Sequence, residues 1–299
     1  MKGASISTWI QASRPPAIVN LIFPLLLGQA LAFEKTGRWN WTIFAALGIY
    51  AWFDQLYIVF WNDYADARAD RHNREFNIFS GGSRVLPEGR LDPRDLLRAG
   101  WIALGLVMAV GIYLTLSFQI VFALPLMAAG LILLWAYSMP PLRLNYRGGG
   151  ELLQATGCAL LLPLLGYDAQ ASTLTDFPGE ALIPFFIYHL ISAVATAIPD
   201  HAADRRAGKR TLAVRIGIRP AARWNIVLGL LGAAVGFTLL QPAGPWSRAL
   251  TVWFPPAALG AAAFLSRRLE TSPRAVFFYD VLIVAIPIAY AAGFCMSAI

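Results

Sequence analysis

Two stretches of this sequence carry side chains whose types and spacing could do chemistry. The first reads Trp61-Asn62-Asp63-Tyr64-Ala65-Asp66-Ala67-Arg68-Ala69-Asp70. On a helix, Asn62, Asp66 and Asp70 recur every four residues and, with Asp63, occupy an arc of about 100°. Three carboxylates and an amide on one face repel one another unless positive charge lies among them. Hard oxygen donors in this pattern suit Mg2+, which takes one or two carboxylates and completes its octahedron with water and phosphate oxygens. A solvated helix end would carry the same residues, so this motif alone does not decide. The second stretch adds an independent observation: Asp200 and Asp204 lie one helical turn apart, followed by Arg205, Arg206, Lys209, Arg210 and Thr211. Two acidic faces with cations close behind could hold metal ions between them and a diphosphate across the metals, with Lys and Arg taking the remaining oxygens.

The elements that must position these groups are membrane spans. Of 299 residues 58% are hydrophobic and 14% charged, and the mean hydropathy is +0.57, which excludes a soluble globular enzyme, a disordered chain or a collagen-like one. Two Cys make no disulfide scaffold, and Cys158 and Cys295 lie inside apolar runs as small packing residues. Nine runs are long enough to approach or span a bilayer: 16–33, 39–61, 96–116, 120–137, 152–167, 181–198, 224–240, 250–265 and 276–299. No cleavable signal is expected before the first, so it should remain as a span. With the N-terminus cytoplasmic, only Lys35, Arg38 and Arg248 of the 24 Lys and Arg fall outside, which predicts N-in and C-out orientation. The net charge of +7 is then a topology signal, and nucleic acid is not an expected partner.

Both acidic motifs fall at the cytoplasmic ends of even-numbered spans. Asp66-Ala-Arg-Ala-Asp70-Arg71 also resembles Asp200-His-Ala-Ala-Asp204-Arg205 at an offset of 134, as two related halves would place them. No linker separates domains, so residues 1–299 read as one polytopic domain. The expected fold is an all-α integral membrane bundle of nine transmembrane helices with two motif-bearing halves.

Taken together, these motifs resemble those of the UbiA superfamily of intramembrane prenyltransferases. Residues Asn62 to Asp70 match its N-D-x-x-D-x-x-x-D pattern. Asp200-His-Ala-Ala-Asp204-Arg-Arg-Ala-Gly208-Lys209-Arg210-Thr211 is similar to its second acidic motif. Tyr137-Ser-Met-Pro-Pro-Leu-Arg143 resembles the tyrosine-containing segment after the fourth span, and Arg14-Pro15 the start of the first. The resemblance covers essentially the whole chain and implies a helical bundle around a central cavity, Mg2+ dependence, and prenyl transfer from an allylic diphosphate to a lipophilic acceptor. On that reading Asp66, Asp70, Asp200 and Asp204, with Asn62 and Asp63, are the metal-binding and catalytic set.

Further residues gain candidate roles. Arg68, Arg71, Arg143, Lys209 and Arg210 are candidate diphosphate contacts, although positive-inside placement also explains cationic loops. Ser80-Gly81-Gly82-Ser83-Arg84 suits either a backbone anion nest or a plain turn. Trp52, Phe53, Tyr57, Phe60, Trp61, Tyr64 and Tyr137 could turn π faces to an allylic cation or sit in lipid. Asn20, Asp54, Gln55 and His189 are expensive in lipid and should face the cavity or one another, binding acceptor or joining helices. His189, eleven residues before Asp200, would lie deeper on nearly the same helical face.

A transporter would explain intramembrane polar groups but needs no paired metal-type motifs. The D-x-x-D-G-x-x-A-R signature of the CDP-alcohol phosphotransferases is absent. The segments 79–90 and 208–217 resemble the branch that prenylates 1,4-dihydroxy-2-naphthoate in menaquinone synthesis, whereas Ala197-Ile-Pro-Asp200 resembles relatives acting on carotenoids such as lycopene. No acidic residue occurs from Ser192 to Thr196, which argues against 4-hydroxybenzoate. The expectation is an aromatic quinone precursor as acceptor, in the inner (plasma) membrane of a bacterial-type cell.

Overall fold

The computed structural model describes residues 5–71, 73, 80–242 and 244–297; among these the regular structure is helical and no strand occurs. Lys2, the stretch 74–79 that begins the glycine-loop resemblance at Phe79, and the C-terminal Ile299 lie outside the described residues. A short helix α1 (Ile6–Ala12) leads into α2 (Val19–Thr36), then α3 (Trp41–Asp70), α4 (Pro93–Phe118) and α5 (Ala123–Ser138). A short α6 (Leu144–Arg147) precedes α7 (Gly150–Thr156) and α8 (Leu162–Ala171), which a π turn at Gly157–Leu161 joins into one rod. The second half holds α9 (Leu182–Thr196), short α10 (His201–Arg206) and α11 (Leu212–Ile216), then α12 (Ile218–Leu239). It closes with α13 (Pro245–Arg248), joined through a π turn to α14 (Phe254–Ser266), and α15 (Pro273–Ser297).

Each expected apolar run corresponds to one rod. Eight are long and apolar enough to cross a membrane, and α5, apolar throughout, has only 16 residues. At 1.5 Å per residue it covers about 24 Å of a hydrocarbon layer about 30 Å thick. Among the described residues the bundle therefore has eight full-length spans and a ninth, shorter apolar helix.

Local sequence sets where the long helices start and stop. The Asn40 side chain accepts hydrogen bonds from the N–H groups of Thr42 and Ile43, capping α3. Asp92 caps α4, with Pro93 in the first helical position where its missing N–H does no harm. Gly37, at φ +64°, closes α2 in the left-handed conformation that glycine adopts without strain.

Two buried apolar clusters meet along α2 and α8. One contains Leu27, Tyr167, Tyr188, Ile191, Tyr279 and Tyr290; the other contains Leu25, Leu47, Tyr57, Trp61, Val107, Met127 and Leu165. The α2–α8 pair belongs to both and is a spine of close backbone contact. A Cβ on Gly28 would fall 1.9 Å from the Pro163 carbonyl oxygen, and one on Gly166 would fall 2.3 Å from that of Leu25. Small residues at such crossings give membrane helices dispersion contact where no hydrophobic drive exists between them. Outward positions are apolar, among them Leu116, Val227 and Phe264, each more than 60% exposed in the chain alone.

The two motif-bearing helices differ in build. Helix α3 runs unbroken nine residues past Trp61, so the first motif keeps its helical register to Asp70. By contrast, α9 stops at Thr196, and tight turns from Ala195 to His201 re-aim the chain before α10 begins.

Candidate active site

A cavity of about 350 Å3 opens between α2, α3, α5, the α7–α8 rod, α9 and α10. Asn62, Asp63, Asp66 and Asp70 all line it, as the four-residue spacing on an unbroken α3 requires. Asp200 and Asp204 line it from the other side. Asp200 stands at the N-terminus of α10, and its carbonyl oxygen accepts from the Asp204 N–H at 2.8 Å, so these two are one helical turn apart. The two motifs share one end of the cavity.

Lys209 stands between them. Its Nζ lies 3.0 Å from Asp66 Oδ2 and 3.1 Å from Asp204 Oδ1, a bridge between carboxylates 138 positions apart in sequence. Burial and then the neighbouring Asp204 push the Asp200 carboxyl up to about 7. Burial also raises Asp204, outweighing the nearby Lys209. Burial alone would lower the Lys209 ammonium, yet the charges of Asp66 and Asp204 overcome it and hold it well above its ordinary value.

The glycine-rich segment 80–84 is engaged with the acidic groups themselves. The Gly81 N–H donates to Asp200 Oδ2 (3.3 Å) and the Ser83 N–H to Asp63 Oδ2 (3.1 Å), while Asn73 donates to Asp200 Oδ1 at 2.6 Å. The Arg84 guanidinium donates to the Asp70 carbonyl oxygen. The loop thus ties the first motif to the second. Asp63, 4% exposed, also lies 4.0 Å from the Arg14 guanidinium, and its environment is that of an anchored strut. Gln55 holds Arg14 in place by donating to the carbonyl oxygens of Ser13 and Arg14.

The donor set suits a hard divalent cation. All its members are carboxylate or amide oxygens, and Asp66 Oδ1 is buried without a hydrogen-bond partner. A Cβ on Gly82, at φ +64°, would fall 2.4 Å from Asp70 Oδ2 and 3.1 Å from Asp63 Oδ1, so glycine keeps the space beside those carboxylates open. Among the described residues no three His, Cys, Asp or Glu side chains close into a ready-made metal cage. A cation that takes few protein oxygens and completes its shell with phosphate fits such a set.

Other candidate residues divide. Tyr137, Asn20 and Asp54 line the cavity; Arg68, Arg71, Arg143, Arg210 and His189 do not. Arg143 donates to the Ala65 carbonyl oxygen (3.0 Å) and stacks 3.7 Å over the Tyr146 ring, holding α6 against α3. Arg71 and Arg210 are exposed at the rim, as is Arg68. His189 is 5% exposed, with its ring edge-on to Phe185 at 4.6 Å. His189 shares its face of α9 with the cavity-lining Ala193 and Thr196 but lies outside the lining, and α9 ends four residues before Asp200, so the register does not run on to the second motif. Asp54 accepts from the Tyr50 hydroxyl (3.3 Å) and lies eight residues below Asn62, about 12 Å along the axis, at the far end of the cavity. Of the proposed aromatic wall only Tyr137 lines the cavity. Tyr57 and Trp61 are buried against α4 and α5, Phe60 packs on Trp9, and Trp52 and Tyr64 are exposed.

Tyr50, Asn145, Glu151 and Gln154 line the cavity without having been marked by the motifs, while Arg14 and Thr211, carried by motif segments, line it too. Tyr146 lies beneath Arg143, and its carbonyl oxygen accepts from the Arg210 N–H at 3.0 Å. Glu151 accepts from the Leu212 N–H at 2.7 Å, so α7 steadies the segment that carries Lys209.

A bundle of apolar helices with paired acidic motifs at one mouth of its cavity defines a class of intramembrane enzyme. Residues 21–286 match the UbiA prenyltransferase family, and the chain belongs to that family as an integral membrane prenyltransferase. The 1,4-dihydroxy-2-naphthoate octaprenyltransferase of Mycobacterium tuberculosis is 30% identical over 250 residues, 81% of this chain and 81% of that protein. The lycopene elongase/hydratase of Corynebacterium glutamicum is 28% identical over 235 residues, 78% of this chain and 77% of that one. The fold is similar to that of a UbiA homolog from Archaeoglobus fulgidus bound to GPP and Mg2+, with a TM-score of 0.71 and 18% identity. That likeness covers 97% of this chain and 99% of the other.

Proposed function

We propose that this protein, acting as one polytopic domain, transfers a prenyl group from an allylic polyprenyl diphosphate to an aromatic quinone precursor of the menaquinone type. The observation that carries the reading is the meeting of both acidic motifs and Lys209 at one end of a cavity whose remaining wall is largely apolar. That end suits a diphosphate, and the apolar wall suits the prenyl tail. Asp66, Asp70, Asp200 and Asp204, with Asn62, would hold Mg2+, and Asp63 would brace the set. When bound, Mg2+ supplies Lewis-acid and electrostatic stabilisation of the departing diphosphate.

The chain's own groups do the rest. Lys209 and Arg14 present cations at the mouth to phosphate oxygens, with Arg68, Arg71 and Arg210 at the rim drawing in the anion. Arg143 positions Tyr146 and the α6 turn. Tyr137 offers its ring to the allylic carbon as the C–O bond breaks and the electron pair leaves with the diphosphate. The acceptor's ring carbon then forms the new C–C bond, and its proton passes to the released diphosphate. Asn20 and the Tyr50–Asp54 pair are the polar groups below the mouth that could orient an acceptor hydroxyl. The naphthoate substrate named for the mycobacterial relative supports the aromatic acceptor.

A second reading, prenyl transfer to a carotenoid such as lycopene, is supported by the corynebacterial relative. Purified protein assayed with geranylgeranyl diphosphate, with Mg2+ or chelator, against aromatic and polyene acceptors separates the two. Prenylated 1,4-dihydroxy-2-naphthoate is the expected product, and a polyene product alone would overturn the first reading. We further infer an inner-membrane location with the motif end and N-terminus cytoplasmic and the C-terminus outside, supported by the Lys and Arg bias.

A further inference from the structure

A second depression, of about 130 Å3, lies away from the cavity and is lined by Arg219 and Arg223 of α12 and by Ser266 and Arg267 at the end of α14. Chain connection puts it at the motif end of the bundle. The second motif leads through the short α10 and α11 directly into the start of α12, and α14 packs against α12 and ends beside it. Three guanidinium groups from two helices therefore converge on one hollow. Glu270 neutralises Arg219 through a 2.8 Å ion pair, which leaves two cations in excess in the hollow.

What runs away from the hollow is equally specific. Arg223, Val227 and Leu231 recur every four residues on α12, all exposed, and form one stripe along the helix. Phe264 of α14 is 63% exposed, one turn before Arg267. The surface is thus cationic at its head and continuously apolar below. A free anion would use only the head, whereas an anionic phospholipid matches both parts, its phosphate among the arginines and an acyl chain along the stripe. Positive-inside placement requires only that cations lie on this side; it does not require that they converge from two helices on one hollow above an apolar track.

We propose that the α12–α14 head is a binding site for an anionic phospholipid, read by Arg223 and Arg267 with Arg219 held in place by Glu270. The planar guanidinium groups suit bidentate contact with phosphate oxygens in a way that ammonium groups do not. The hollow, of about 130 Å3, has room for a headgroup phosphate.

The test uses the full chain in detergent micelles, with bound lipid read by native mass spectrometry after exposure to equal palmitoyl-oleoyl phosphatidylglycerol and phosphatidylcholine. Wild type should retain phosphatidylglycerol in preference by about tenfold or more, and R223Q/R267Q should bring the ratio near one. R223K/R267K keeps the charge and the topology signal yet should lose most of the preference. R94Q/R98Q, at the start of α4, should leave it intact. Retention by R223Q/R267Q, full rescue by lysine, or equal loss in R94Q/R98Q would overturn the proposal. Inorganic phosphate competing as well as the lipid does at equal concentration would also overturn it, since the site would then read a free anion.

Discussion

At the scale of single residues, the carboxylates define what can be tested first. Asp66→Ala or Asp204→Ala removes a metal-type oxygen and one partner of Lys209. Transfer should fall by about 10²- to 10³-fold, the usual effect of losing one well-placed electrostatic group, while membrane insertion and yield stay normal. Near wild-type turnover in either variant would refute the metal assignment. The Asp200 carboxyl, raised from 3.8 to about 7, gives a pH signature. A carboxyl raised on folding favours its protonated form, so its ionisation costs the ligand-free protein stability as pH climbs from about 4 to about 7. Mg2+ must displace that proton, so its affinity should rise with pH over the same window and level off above it. Calorimetric titration showing pH-independent affinity through that window would contradict this. Asn20→Ala should raise the KM for acceptor more than that for prenyl diphosphate. His189→Ala, off the cavity wall, should lower thermal stability without that split. An unchanged acceptor KM in Asn20→Ala would favour the polyene acceptor.

At the scale of elements, the first motif was legible because α3 stays helical to Asp70, so residue spacing translated directly into a shared face. The second was legible only as a local turn. The stop signal of α9 is Pro199, three residues past Thr196, so the α9 register does not extend to Asp200, and His189, on the face of Ala193 and Thr196, falls outside the cavity lining. The partners of the glycine loop were unreadable, because Gly81 and Ser83 meet Asp200 and Asp63 through backbone N–H groups, which every sequence offers alike. Glycine identity is informative where space is the issue. Gly82→Ala should reduce Mg2+-dependent activity sharply while leaving the bundle folded, since its Cβ would enter the space beside Asp70. Gly28→Leu should instead unseat α2 from α8, at a cost of about 3 kcal/mol or more, as overpacking of a tight contact does. A thermal-melt profile matching wild type would show that the spine tolerates separation.

At the scale of the whole molecule, the bilayer simplified the reading. Every span must satisfy its backbone internally, so apolar runs became helices with most boundaries within a few residues, the extension of α3 and the earlier starts at Ile218 and Pro245 being the larger departures. The short α5 is the departure, and nothing in its composition marks it as different from a full span. Orientation can be checked by substituting Cys at exposed positions. Arg71→Cys and Arg210→Cys should be labelled from one side and Thr175→Cys from the other. Labelling of Arg71→Cys and Thr175→Cys from the same side would overturn the alternating map.

The ties of the glycine loop also set an order of assembly. Arg14, Ser83 and Arg84, which hold the first motif, all precede residue 85; Asn73 and Gly81, which hold Asp200, precede it by 127 and 119 positions. Chains fold largely from the N-terminus as they are made. The ribosome therefore delivers the receiving surface long before the residue it receives, and the second motif arrives as a guest on a finished template. A translation-arrested chain ending near residue 171 should already protect a Ser83→Cys thiol from labelling, because its burial partners have been made, whereas a chain begun after residue 85 has no surface on which Asp200 can settle.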